Sequence, residues 1–105
     1  MEQIALTEAV YYILLSLNEP LHGYGIMQNA EALSRGRVRL AAGTLYGALN
    51  SLMEKGWIES LPGETGSRKK EYRITAAGRK IVINEIARLK ELLTNGETLT
   101  KEWHV

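Results

Sequence analysis

Between Leu40 and Ser60 the chain reads LAAGTLYGALNSLMEKGWIES, and its residue types suit recognition more than bond breaking. On a helix, Leu45, Leu49, Leu52 and Met53 gather on one side, opposite Gly43, Gly47, Asn50, Ser51 and Glu54, with Thr44 and Tyr46 on the flanks. Glycine inside a helix costs about 1 kcal/mol relative to alanine, so Gly47 needs a reason. Two readings fit. The glycines pack against a neighbouring helix, or they let the backbone approach a grooved partner. In the second case Thr44, Tyr46, Asn50 and Ser51 supply hydrogen bonds to phosphates or base edges. Downstream, Arg68, Lys69 and Lys70 run together, with Arg73, Arg79 and Lys80 behind them. Such a run is a solvated basic loop or a contact to phosphate or the minor groove. The small-residue face and the basic run together favour a nucleic-acid partner.

Other chemistries find no residues to carry them. The chain has no Cys and no Asp, and its two histidines, His22 and His104, are far apart. That excludes thiolate chemistry and disulfides and leaves no ligand set for a metal. His22 reads as a capping or turn residue. The glutamates show no paired spacing, no Ser or Thr sits in a motif with a His, and neither a phosphate loop nor a dinucleotide fingerprint occurs. No enzyme activity, cofactor or metal is expected. No apolar run approaches the roughly 20 residues of a membrane span. The opening MEQIALTE is acidic and lacks the basic start of a secretory leader, so a cytoplasmic location is expected.

The net charge of +1 conceals an uneven distribution. Residues 1–34 hold four Glu and no Lys or Arg, residues 35–80 hold ten Lys and Arg against four Glu, and the remainder holds three against four. A local basic patch, not the total, is the electrostatic footprint of a polyanion binder.

These residues need elements to position them, and 105 residues suit one domain with one core. A first helix is expected over Leu6 to Leu17, capped by Thr7. Its stripe is Val10, Ile13, Leu14 and Leu17. Tyr11, Tyr12 and Leu15 lie off that stripe, so this helix has a second apolar side. NEPLHGY is a connection. Ile26, Ala30 and Leu33 mark a short second helix, and SRGRVRLAAG is a basic turn. The third helix spans about Ala42 to Lys55 and stops at Gly56. WIESL and KEYRIT are strands around a hairpin tip, PGETGSRKK. Thr75 caps a last helix that reaches Asn95-Gly96, with a seam at Val82, Ile86, Leu89 and Leu93 of period near 3.5. Ile81, Ile83 and Leu92 widen it. The order is helix, helix, helix, strand, strand, helix, a mainly α fold with a minor β-hairpin.

GYGI at Gly23 to Ile26, GTLYGALNSLMEKGWIES at Gly43 to Ser60 and GSRKKEYRITAAGRK at Gly66 to Lys80 resemble the PadR family of bacterial transcriptional regulators. Leu49, Leu52, Gly56, Ile58, Tyr72, Ile74, Thr75 and Gly78 follow the family pattern in order. The resemblance covers residues 7 to about 93, in the branch with a single C-terminal helix. It departs at Ala41-Ala42, where relatives often carry a Ser-Pro or similar pair, and at Gly47, where they often carry Pro. The first departure removes a side-chain cap from the third helix.

The resemblance implies a winged helix-turn-helix over residues 1–80, a dimerisation helix over 81–95 in the same compact domain, and a tail over 96–105. It implies a repressor acting as a homodimer on a pseudo-palindromic operator in double-stranded DNA. The DNA-facing set is Tyr24, Gln28, Gly43, Thr44, Tyr46, Gly47, Asn50, Ser51, Arg68, Lys69 and Lys70. The dimer set is Leu6, Val10, Ile13, Leu14, Leu17, Val82, Ile86, Leu89 and Leu93. Tyr11, Tyr12, Leu15 and Leu89 are either interface packing or a pocket for a small aromatic or drug-like effector. A winged-helix module for protein–protein contacts is the alternative from another class.

Overall fold

The computed structural model describes residues 5–62 and 70–104. Four helices and three strands follow in the order α1 (Glu8–Ser16), β1 (Leu21–His22), α2 (Gly23–Leu33), α3 (Ala42–Glu54), β2 (Ile58–Leu61), β3 (Glu71–Ile74) and α4 (Ala76–Leu99). Each start has a local cause. The Thr7 hydroxyl accepts the Val10 amide at 3.1 Å, His22 Nδ1 accepts the Gly25 amide at 3.2 Å, and the Thr75 hydroxyl accepts the Gly78 amide at 3.1 Å. His22 is therefore the capping residue of α2. Only α3 begins without a side-chain cap, at Ala41.

Two helices stop by one mechanism. After α3, the Gly56 amide donates to the Met53 carbonyl at 3.0 Å and the Trp57 amide to Leu52 at 3.0 Å, with Gly56 at φ +75. After α2, Arg35 donates to Ala32 at 3.2 Å and Gly36 to Glu31 at 2.8 Å. There the left-handed position is held by Arg35, at φ +54, where glycine is the usual occupant.

The sheet has the order β1-β3-β2, all antiparallel, with Ile58 opposite Ile74 and Leu61 opposite Glu71. β1 is not among the expected strands, because two residues show no alternation. It forms because Leu21 pairs with Tyr72 and His22 with Glu71 along the free edge of β3.

α4 runs unbroken across the expected boundary at residue 80. It also passes Asn95-Gly96, the expected stop, and takes in residues 96–99. Gly96 does not adopt the left-handed conformation that would end a helix, and the Thr100 amide and hydroxyl instead bond its carbonyl at 3.1 and 2.8 Å.

Ile13, Leu14 and Leu17 from α1, Ile26 from α2, Leu45, Leu49 and Leu52 from α3, Ile58, Tyr72 and Ile74 from the sheet, and Val82 from α4 form one core. Burying each of the Leu and Ile side chains stabilises the fold by about 1.5–3 kcal/mol. Four residues assigned to the dimer set, Ile13, Leu14, Leu17 and Val82, are thus buried in the core of the protomer itself. A helical stripe has the same spacing whether it faces its own core or another subunit, so the pattern cannot separate the two. Leu6, Val10 and Ile86 pack partly buried against this core, whereas Leu89 and Leu93 are exposed.

The base of α4 is fixed to the end of α3. The Thr75 hydroxyl donates to the Gly56 carbonyl at 2.6 Å, the Thr75 amide to the Trp57 carbonyl at 3.0 Å, and a Cβ on Gly78 would collide with that same carbonyl. A buried carboxylate holds the other side. Glu85, only 2% exposed, accepts the Leu6 amide at 3.1 Å and two bonds from the Arg88 guanidinium at 2.6 and 2.7 Å.

Candidate nucleic-acid interface

The α3 pattern divides the helix as its residue types require. Leu45, Leu49 and Leu52 are buried, and Gly43, Thr44, Tyr46, Gly47, Asn50 and Ser51 are exposed. A Cβ built on Gly43 or Gly47 meets nothing within 4 Å. The reading in which these glycines pack against a neighbouring helix is therefore excluded within the described residues. Their backbone is itself surface, bordered by the hydroxyls and amide of Thr44, Ser51 and Asn50.

α2 supplies a second part of the same surface. Tyr24 and Gln28, one helical turn apart, are both exposed, Tyr24 at 64%. What joins them to α3 is Gly23. A Cβ there would lie 2.5 Å from the Tyr46 hydroxyl and 3.4 Å from a Leu45 methyl, so the glycine lets the Tyr46 ring lie across the start of α2. Helical periodicity carries no sign of this role; the paired glycines of GYG are the one signal. Burial raises the Tyr72 phenol above its ordinary pKa, and neighbouring Tyr46 adds to that shift.

Charge is less free than the sequence implies. Arg37 grips the Glu8 carboxylate with bonds of 2.8 to 3.3 Å, Arg39 pairs with Glu31 at 3.2 Å, and Arg73 pairs with Glu59 across the β2–β3 ladder. Glutamates of the acidic N-terminal third thus neutralise two arginines of the basic middle. The Arg37 contact lowers the pKa of Glu8. Lys55 stacks over the Trp57 ring at 4.9 Å. Of the basic tip, Lys70 is exposed immediately before β3, and Arg68 and Lys69 lie outside the described residues.

Of the four residues proposed for an effector pocket, Tyr11 and Tyr12 tilt against each other with ring centres 5.8 Å apart. Leu15 borders two hollows among the described residues. One, of about 420 Å³, lies between α1 and α2 near Pro20 and Leu33; the other, of about 480 Å³, is lined by Leu14, Ile74, Arg79, Ile83 and Ile86. Tyr11, Tyr12 and Leu89 line neither. Among the described residues no His and Glu side chains gather to hold a metal, and no helix is long and apolar enough to cross a membrane.

A three-helix unit whose third helix turns a bare, hydrogen-bonding face outward, with a short sheet beside it, defines a winged-helix DNA-binding regulator. The model of the PadR-like family of transcriptional regulators matches residues 12–83. The chain belongs to that family. Solved structures agree. A transcriptional regulator from Clostridium thermocellum is 25% identical with a TM-score of 0.65, over 91% of this chain and 92% of that one. A PadR family regulator from Eggerthella lenta is 25% identical with a TM-score of 0.66, over 90% and 82%. A PadR-like transcription factor from Bacteroides fragilis is 26% identical with a TM-score of 0.66, over 87% of each. No match is found among curated protein sequences.

Proposed function

We propose that this protein represses transcription by binding a pseudo-palindromic operator as a homodimer, each protomer placing α3 in the major groove. The observation that carries the reading is the open face of α3, where Gly43 and Gly47 leave the backbone uncovered. A helix that must come close to a groove floor gains from such a face, and its N-terminal half leads. Tyr24 and Gln28 on α2 and Lys70 beside the basic tip then lie where sugar–phosphate contacts are made. One such unit reads only a short half-site, so specific affinity calls for two at about one helical turn. Exposed leucines along the far half of α4 supply an apolar surface for the second copy. In this reading a small aromatic effector acts on the α1–α4 side, at the hollow bordered by Leu15, Ile83 and Ile86.

Footprinting of bound genomic fragments, followed by titration of the recovered duplex at several salt concentrations, tests the proposal. We expect a two-fold symmetric site and a steep loss of affinity with salt. Duplex binding that is absent or insensitive to salt overturns it and favours a protein–protein module.

A further inference from the structure

Resting on the DNA-binding reading above, we infer that Arg39, which is not in the DNA-facing set expected from the sequence, is a phosphate contact at the entrance of α3, and that Glu31 is the residue that positions it. From Leu40 to Glu54 the chain has no Lys or Arg, so the recognition helix brings no cation of its own to a polyanion. Lys55, which follows it, stacks on Trp57. Arg39 stands three residues ahead of Ala42, the first residue of α3, and its side chain is 77% exposed. A helix whose N-terminal half leads into the groove carries the residues just ahead of it to the groove's edge, where the phosphates run.

The turn between α2 and α3 is folded around Glu31. Its carbonyl accepts the Gly36 amide at 2.8 Å and the Ser34 hydroxyl at 3.2 Å. The Ser34 oxygen accepts the Val38 amide at 2.8 Å, and Val38 is buried. With Val38 anchored inward, its neighbour Arg39 turns outward. There the Glu31 carboxylate meets Nε of Arg39 at 3.2 Å. On its other side the guanidinium lies against Gly36, where a Cβ would sit 3.5 Å from Nη2 and 3.9 Å from Nε. An arginine already placed in this way loses less rotamer freedom when it takes a ligand. Glu31 also shares a helical face with Tyr24 and Gln28, so the guanidinium it holds belongs to the same surface as they do.

The other arginines paired in the basic middle are held differently. Arg37 and Arg73 each bond one carboxylate through both Nε and Nη2, which occupies an edge of the fork. They are also less open, at 59% and 45% exposed. Arg39 comes nearest its partner through Nε and is the most exposed of the three. An ion pair this open contributes little to stability and does not bar a phosphate from the same guanidinium.

Titrations at several salt concentrations against two duplexes of equal length, the one recovered by footprinting and one of mixed sequence, test the inference. Arg39→Gln should melt as the wild type does, weaken binding to both duplexes by about tenfold, and flatten the plot of log affinity against log salt by about 0.9. Arg39→Lys keeps the charge and should keep the slope. Glu31→Ala retains the carbonyl that shapes the turn, so its sign is informative. Loss of a carboxylate from a DNA-facing surface strengthens binding by charge alone, whereas release of Arg39 weakens it. The expected result is weaker binding in the wild-type background and stronger binding in the Arg39→Gln background. A wild-type protein that binds neither duplex overturns the DNA reading and this inference with it. If the wild type binds both with a steep salt dependence, while Arg39→Gln keeps that slope or weakens only the recovered duplex, the phosphate contact alone is overturned. Stronger binding by Glu31→Ala in the wild-type background overturns the positioning role of Glu31.

Discussion

Gly47 and Gly23 are both glycines beside the same surface, yet their substitution should fail differently. At Gly47 nothing stands within 4 Å of an added side chain. Gly47→Leu should therefore keep or raise thermal stability, by up to about 1 kcal/mol of helix propensity, and abolish specific DNA binding. Loss of the fold in that variant, followed by circular dichroism, would show that the glycine is needed for packing after all. At Gly23 an added methyl meets the Tyr46 hydroxyl, so Gly23→Ala should turn the Tyr46 ring outward and weaken DNA affinity with little change in melting. Buried polar residues behave otherwise. Ser34 is fully buried; its hydroxyl donates to the Glu31 carbonyl at 3.2 Å and accepts the Val38 amide at 2.8 Å. Ser34→Ala leaves that amide without its acceptor and should cost about 1–3 kcal/mol in denaturant unfolding. The outward glycines of α3 were legible in the sequence because a helix wheel places them. Gly23 and Ser34 were not, because their roles depend on an atom from another element or on the path of a turn.

At the scale of elements, the helices were legible and what surrounds them less so. The leucines of α3 and the caps Thr7, His22 and Thr75 are local signals, and they locate α1, α2, α3 and the start of α4. β1 exists only because β3 has an edge to pair with, and Val82 shows that spacing alone cannot tell a core from an interface. The α1–α4 contact was equally hidden, since nothing in the sequence announces that Glu85 reaches the Leu6 amide. Acid should expose that contact. The bonds from Arg88 hold the Glu85 carboxyl below its ordinary pKa. A depressed carboxyl contributes stability that is present above its unfolded value, about 4.3, and is lost as pH falls through the folded value. Glu85→Gln should lose stability near neutral pH and flatten the acid limb of the stability profile; an unaltered limb would remove Glu85 from it. The two helix ends give a second test. Arg35 occupies the left-handed position that Gly56 fills after α3, and Arg35→Gly should relieve about 1 kcal/mol of strain. A melting temperature that falls instead would mean that the arginine side chain compensates for its backbone.

For the whole molecule, the prediction is electrostatic. Three arginines of the basic middle are held by glutamates, so among the described residues the net positive field is narrower than the sequence suggests. Neutralising Arg68, Lys69 and Lys70 together should leave folding intact and flatten the plot of log affinity against log salt by about 0.9 for each phosphate that the variant no longer neutralises. An unchanged slope would take the tip out of the interface. The shape of the chain adds something else. It extends 60 Å along its longest axis, and α4, with 24 residues, is about 36 Å long. Thr75 and Gly78 clamp the root of that helix to the carbonyls of Gly56 and Trp57, at the end of α3. In the proposed dimer α4 is then a lever with its fulcrum beside the recognition helix. A tilt of about 5° at the root carries the far end through about 3 Å, close to one base-pair step along DNA. The distance between the two reading heads is thus set by an angle at Thr75, and a change too small to disturb either core is enough to put them out of step with the groove.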